Sequence, residues 1–201
     1  MATIQPAGNA RKTFVLVHGA WHGGWCWRRV ADRLEARGHK VFTPTLTGLG
    51  ERCHLMRADI NLDTHIMDIA NLIRWENLHD IVLVGHSYGG YPVSGAIEHV
   101  FDRISSVLYL DAFVPKDGQK SLDTASEFAR TAAMDIIAKG KIASPAPPAS
   151  AFRVNENDQA WVDAKLTAQP VGVMLQPIKL SGARERVGRK TYIRALPTAA
   201  F

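Results

Sequence analysis

At 201 residues the chain suits a single domain, and 46% hydrophobic against 21% charged residues is the balance of a packed core, which excludes wholesale disorder. A net charge of +5 raises the question of nucleic acid. Yet Arg28, Arg29, Arg33 and Arg37 fall on one expected helix, Arg184, Arg186, Arg189 and Lys190 in one late cluster, and no DNA- or RNA-binding motif accompanies either, so solvated helix faces and no nucleic-acid partner are expected.

In chain order, residues 1–11 hold no apolar run of a secretory leader. Thr13–Val17 (TFVLV) is a continuous apolar run with β-branched residues and predicts a buried parallel strand. It and residues 81–84 are the longest such runs, too short to span a bilayer, so no membrane partner is expected. A glycine-rich loop follows at 18–24. Residues 25–37 carry Trp27, Val30, Ala31 and Leu34 at helical spacing, and Gly38 ends that helix. Cys26 and Cys53 make neither a disulfide framework nor a metal site, and a reduced, cytoplasmic setting is the default expectation.

A second strand is expected at 40–43 and a loop at 44–61. The next helix is expected to be capped by Asp63 or Thr64, with Ile66, Ile69, Ala70 and Ile73 on its apolar face. Residues 80–84 (DIVLV) predict a third strand, 85–90 a tight turn, 91–100 a helix and 104–110 (ISSVLYL) a fourth strand. Strands alternating with helices argue for a mostly parallel α/β sheet with helices on both faces. That rhythm breaks after residue 112, where two helical stretches (121–139 and 157–169) flank a Pro-, Ala- and Ser-rich segment at 143–151. Residues 190–195 (KTYIRA) resume a strand. The expected organisation is one domain over 1–201, with a core of 12–114 and 190–201 and an inserted helical cap at 115–189.

Gly85-His86-Ser87-Tyr88-Gly89 matches G-x-S-x-G. With glycine and serine each near 7% of residues, a chance match in a chain this long has odds of roughly one in fifteen, so the context has to decide. The motif sits between a buried strand and a helix, where a sharp turn would strain Ser87 and expose its hydroxyl above the sheet. There Ser87 is the candidate nucleophile, and the Tyr88 backbone N–H is a candidate oxyanion donor at a helix N-terminus. The loop after the first strand, His18-Gly19-Ala20, would supply the second donor through Ala20. Gly19 would allow close backbone approach, and His18 and His86 would support the loops. No carboxylate or cysteine at ligand spacing completes a zinc site with His18 and His22, so neither metal nor cofactor is expected.

Residues 18–27 (HGAWHGGWCW), 48–52 (GLGER) and 85–90 (GHSYGG) resemble the α/β-hydrolases related to plant methyl esterases and hydroxynitrile lyases, with their bacterial esterase relatives. The resemblance implies an α/β-hydrolase fold and a cofactor-free serine hydrolase that acts on a small carboxylic ester under a helical cap. The lyase branch typically has Thr where this chain has Gly19 and uses a cap lysine that is not placed in this sequence. Both points favour ester hydrolysis over a lyase-like activity.

Two members of a catalytic triad are harder to place. The family acid follows the last strand, but residues 196–200 (LPTAA) contain none. Asp111, ending the fourth strand at the same sheet edge as Ser87, is the alternative acid; capping the start of the cap is its other possible role. Asp117, Asp123 and Glu127 are weaker alternatives. No histidine follows Ser87 except His99, on the far side of the next helix. The expectation is therefore a catalytic histidine missing from this chain, together with a C-terminal strand and helix, through truncation. The alternative is a non-catalytic remnant that binds small ligands. The edge left by the lost strand would invite a homodimer. Trp21, Trp25, Trp27 and Trp161 are read as core or cap packing ahead of pocket lining.

Overall fold

The computed structural model describes residues 11–196. Most of the 1–11 segment, and residues 197–200 of the stretch expected to carry the family acid, lie outside them. Five parallel strands form the sheet: β1 (Thr13–Val17), β2 (Lys40–Phe42), β3 (Ile81–His86), β4 (Ile104–Leu110) and β7 (Arg189–Ile193), in the order β2-β1-β3-β4-β7. The interposed helices are α1 (Arg28–Glu35), α2 (Leu62–Trp75) and α3 (Gly90–Val100). The expected α/β-hydrolase architecture is therefore present.

Both sheet faces are covered, so the strands alternate between two apolar environments rather than between core and water. Val15, Val17, Ile81, Leu83, Val107 and Tyr109 pack in the larger core with Ile66, Ile69, Ile73, Tyr91 and Ile97 of α2 and α3. Leu16 and Val84 face the other way, onto Trp27 and Leu34. β2 lies on one side of β1 and β3 on the other. The winding therefore reverses between β1 and β3, and the loops leaving their C-terminal ends meet at the crevice where ligands bind in such sheets.

Between β4 and β7 the chain forms α4 (Glu127–Ala138), β5 (Ala143–Ser144), α5 (Glu156–Asp163), β6 (Gln169–Pro170), α6 (Gly172–Leu175) and α7 (Ala183–Arg186). β5 and β6 pair antiparallel, a small sheet that the Pro-rich composition of 143–151 concealed. Several expected boundaries shift. The helix expected at 25–37 is a 3-10 turn, Gly24–Trp27, followed by α1. α2 is capped by Asn61 rather than Asp63 or Thr64: the Asn61 side chain accepts from the Thr64 N–H, and the Thr64 hydroxyl accepts from the Asn61 N–H. The expected loop at 44–61 contains a 3-10 helix, Gly50–Leu55. The helix expected at 157–169 ends at Asp163, and the last strand runs over Arg189–Ile193 rather than 190–195.

Several of the basic residues find partners within the fold. Arg28 pairs with Asp32 and Glu35 along α1, Arg29 pairs with Asp158 of α5, Arg184 donates to the Pro115 carbonyl, and Arg186 lies over the Phe101 ring. No helix among the described residues is long and apolar enough to cross a membrane.

Candidate active site

β3 ends at His86, and Ser87–Gly89 forms a 3-10 turn that runs directly into α3. Ser87 has φ of 51°, the left-handed region, which costs a side-chain-bearing residue about 1–2 kcal/mol. The turn tolerates little bulk beside it. A Cβ on Gly85 would lie 2.9 Å from the Gly89 carbonyl oxygen, and one on Gly89 would lie 2.7 Å from that of His18. The strain yields a direct expectation. Ser87→Gly should raise stability by about 1 kcal/mol, read as a higher urea midpoint, because glycine adopts this φ freely. A lower midpoint would mean that Ser87 contributes contacts worth more than the strain.

The loop after β1 lies against this turn. A Cβ on Gly19 would come within 3.1 Å of Ser87 Cβ and 3.2 Å of His86 Nδ1, so glycine lets the loop approach closely without displacing either side chain. Ala20 follows, and among the described residues no acceptor takes its N–H. Tyr88 is the second residue of its 3-10 turn, where the N–H has no partner within the helix. Two backbone donors are thus left available at the crevice.

Buried histidines hold both loops. His18 is fully buried: its Nδ1 donates to the Gly19 carbonyl (2.8 Å) and its Nε2 accepts from the Leu46 N–H (3.1 Å). That pattern requires the neutral ring, and burial lowers its pKa to about 3. His65 is also fully buried. Its Nε2 donates to the Thr47 carbonyl (2.9 Å), and its Nδ1 accepts from the Tyr88 hydroxyl (3.0 Å). Burial lowers its pKa to about 4. Asp68 accepts from the N–H and hydroxyl of Thr47 and from Arg52. Tyr88, the residue after Ser87, is thereby anchored through His65 to a polar network under the sheet edge. No local sequence pattern marked His65 or Asp68; α2 brings them there.

The β3–β4 register pairs His86 with Leu110, which sets Asp111 level with Ser87 at the adjacent strand end. The Phe113 N–H donates to the Ser87 carbonyl (3.1 Å), tying the two turns together. Asp111 is exposed and has φ of 42°. Burial lowers the pKa of His86, the charge of His22 lowers it further, and the charge of Asp111 opposes both. His99, by contrast, is exposed at the far end of α3 from Ser87. Among the described residues no three His, Cys, Asp or Glu side chains are grouped to hold a metal ion.

Trp21, Trp25 and Trp161 pack where the loop after β1 meets the segment between β4 and β7, and Trp27 packs on the sheet with Leu16 and Val84. Trp27 is buried, Trp25 meets Trp161 edge to face at 5.1 Å, and Trp21 lies 5.8 Å from Phe152. Two surface clefts lie away from Ser87. One, of about 330 Å³, is lined by Arg52, Asp68 and Trp75; the other, of about 680 Å³, is lined by Glu98, Asp117 and Lys179.

Comparison with known proteins gives a consistent picture. The profile described as "Alpha/beta hydrolase family" matches residues 14–197. The chain is similar to a carbendazim hydrolyzing esterase of Nocardioides sp. (strain SG-4G), 39% identical over 191 residues, covering 90% of this chain and 79% of that protein. It is also similar to the putative methylesterase 14, chloroplastic, of Arabidopsis thaliana, 30% identical over 209 residues and covering 94% of this chain. This chain spans 60% of the length of that plant relative. Among solved structures, an extracellular alpha/beta-hydrolase from a Paenibacillus species superposes with a TM-score of 0.80 at 24% identity, covering 94% of this chain and 81% of that one.

Proposed function

The chain belongs to the alpha/beta hydrolase family, and we propose that it is a carboxylic ester hydrolase with Ser87 as its nucleophile. The observation that carries this reading is the left-handed Ser87 at the winding reversal, with Gly19 packed against its Cβ and the Ala20 and Tyr88 N–H groups beside it. Ser87 Oγ attacks the ester carbonyl carbon. The developing oxyanion is received by those two N–H groups, at the positive end of α3. A base takes the Ser87 hydroxyl proton and passes it to the departing alkoxide, which leaves as the alcohol; water then attacks the acyl carbon, gives a proton to the same base, and releases the acid as that proton returns to Ser87 Oγ. Asp111 is the proposed acid, placed to hold an imidazole in its productive tautomer. No imidazole of the described residues is assigned as the base in this reading: His18 and His65 are committed to structural hydrogen bonds, and His99 faces away. The names of the two relatives, an esterase and a methylesterase, support a small ester as substrate.

The test supplies the base from solution. With p-nitrophenyl acetate as the ester and imidazole added, p-nitrophenol release above the Ser87→Ala background should saturate with ester, rise with imidazole, and leave an acetyl group on the Ser87 peptide in mass spectrometry. Equal rates for the chain and Ser87→Ala, alongside saturable ester binding, would overturn the nucleophile and leave a binding pocket.

A further inference from the structure

We infer that the cap shapes the oxyanion loop, with Gln169 as a positioning residue that fixes the Ala20–Trp21 peptide. The inference rests on the reading of Ser87, Ala20 and Tyr88 given above.

Trp21 has φ of 63°, a conformation that a bulky residue keeps only where its surroundings over-determine it. Those surroundings belong to the cap. The Trp21 N–H donates to Gln169 Oε1 (2.9 Å), the Trp21 carbonyl accepts from the Thr167 N–H (3.0 Å), and Trp21 Nε1 donates to the Ser144 carbonyl (3.2 Å). Ser144 and Gln169 face each other across the β5–β6 pair, so the three contacts come from one small sheet and the residues leading into it. Thr167 also accepts the Gly50 N–H through its hydroxyl (2.9 Å), seating the same segment on a second core loop.

The effect on the site follows from the planarity of the peptide bond. The Ala20–Trp21 peptide is pinned at both ends, its N–H by Gln169 and its carbonyl by His22 Nδ1 (2.7 Å). The preceding Gly19–Ala20 peptide, which carries the Ala20 N–H, is pinned through its carbonyl by His18. With both planes fixed, the Ala20 N–H has one direction. Gln169 is 1% exposed, and its Nε2 has no partner among the described residues. A buried amide that leaves its donor unbonded is costly, and here its acceptor is what serves the loop.

Imidazole-driven acylation by p-nitrophenyl acetate tests this. Gln169→Leu removes the acceptor and should lower the saturating acylation rate about tenfold or more while changing KM less than about threefold, since the donors act on the transition state. Gln169→Glu keeps a side-chain oxygen facing Trp21 and should recover most of the rate. A purely structural role would lower the melting temperature of Gln169→Leu without this kcat-against-KM split or the rescue by Glu. If Gln169→Leu does not fold, Trp21→Phe, which loses the bond to Ser144 while keeping an aromatic ring towards Phe152, should fall about threefold in rate. Acylation by either folded variant at the parent rate overturns the role of the cap. Absence of Ser87-dependent acylation in the parent chain overturns the esterase reading instead.

Discussion

Gly90→Ala is expected to cost about 3 kcal/mol or more of folding stability, enough to unfold a marginally stable domain. The added Cβ would lie 1.9 Å from the Phe113 carbonyl oxygen and 2.9 Å from its carbon, which are backbone atoms with no rotamer to escape into. Gly90 opens α3, while the Phe113 N–H is bonded to the Ser87 carbonyl. Relief therefore requires parting the Ser87 turn from the segment that carries Asp111. Urea unfolding reads the effect, with Gly188→Ala as the control, because nothing lies within 4 Å of the Cβ it adds. A loss under about 1 kcal/mol for Gly90→Ala would show that the 111–113 segment yields easily, and that its tie to Ser87 is weaker than the hydrogen bond suggests.

Acidification is expected to destabilise the chain by roughly 4 kcal/mol between pH 7.5 and pH 5, through two rings. His18 and His65 titrate near 6.5 when unfolded but are lowered to about 3 and about 4 in the fold, chiefly by burial. Their folded pKa values lie below the unfolded ones, so their contribution is present above pH 6.5 and is lost as pH falls towards the folded values. At pH 5 each unfolded ring gains roughly 2 kcal/mol from protonation that the folded ring cannot take. His22 and His86 are also lowered by burial and add to the loss with the same sign. Urea midpoints at the two pH values measure it; a flat profile would mean that these rings are protonated in the native state, against their hydrogen-bond pattern.

Much of the site is local and was therefore legible. The G-x-S-x-G turn, the glycine-rich loop after β1 and the apolar β1, β3 and β4 follow from short-range sterics and hydrophobic runs, and the structure puts Ser87, Tyr88, Gly19 and Ala20 at one sheet edge. The expected helix at 157–169 was too long because helical spacing continues past Asp163 with no glycine or proline to stop it before Pro170. The β5–β6 pair was invisible because two-residue strands carry no period to detect.

What the sequence determined by itself is what neighbours along the chain decide: strands that must be buried on both faces, and a serine forced into a strained turn by glycines that leave no other room. Which distant residues hold that turn was settled only by tertiary structure. His65 reaches the Tyr88 hydroxyl from α2, and Gln169 reaches the Trp21 N–H across 148 positions. The physical reason is that a buried donor or acceptor must find a partner wherever the packed chain provides one, and that requirement leaves no spacing for a sequence to display.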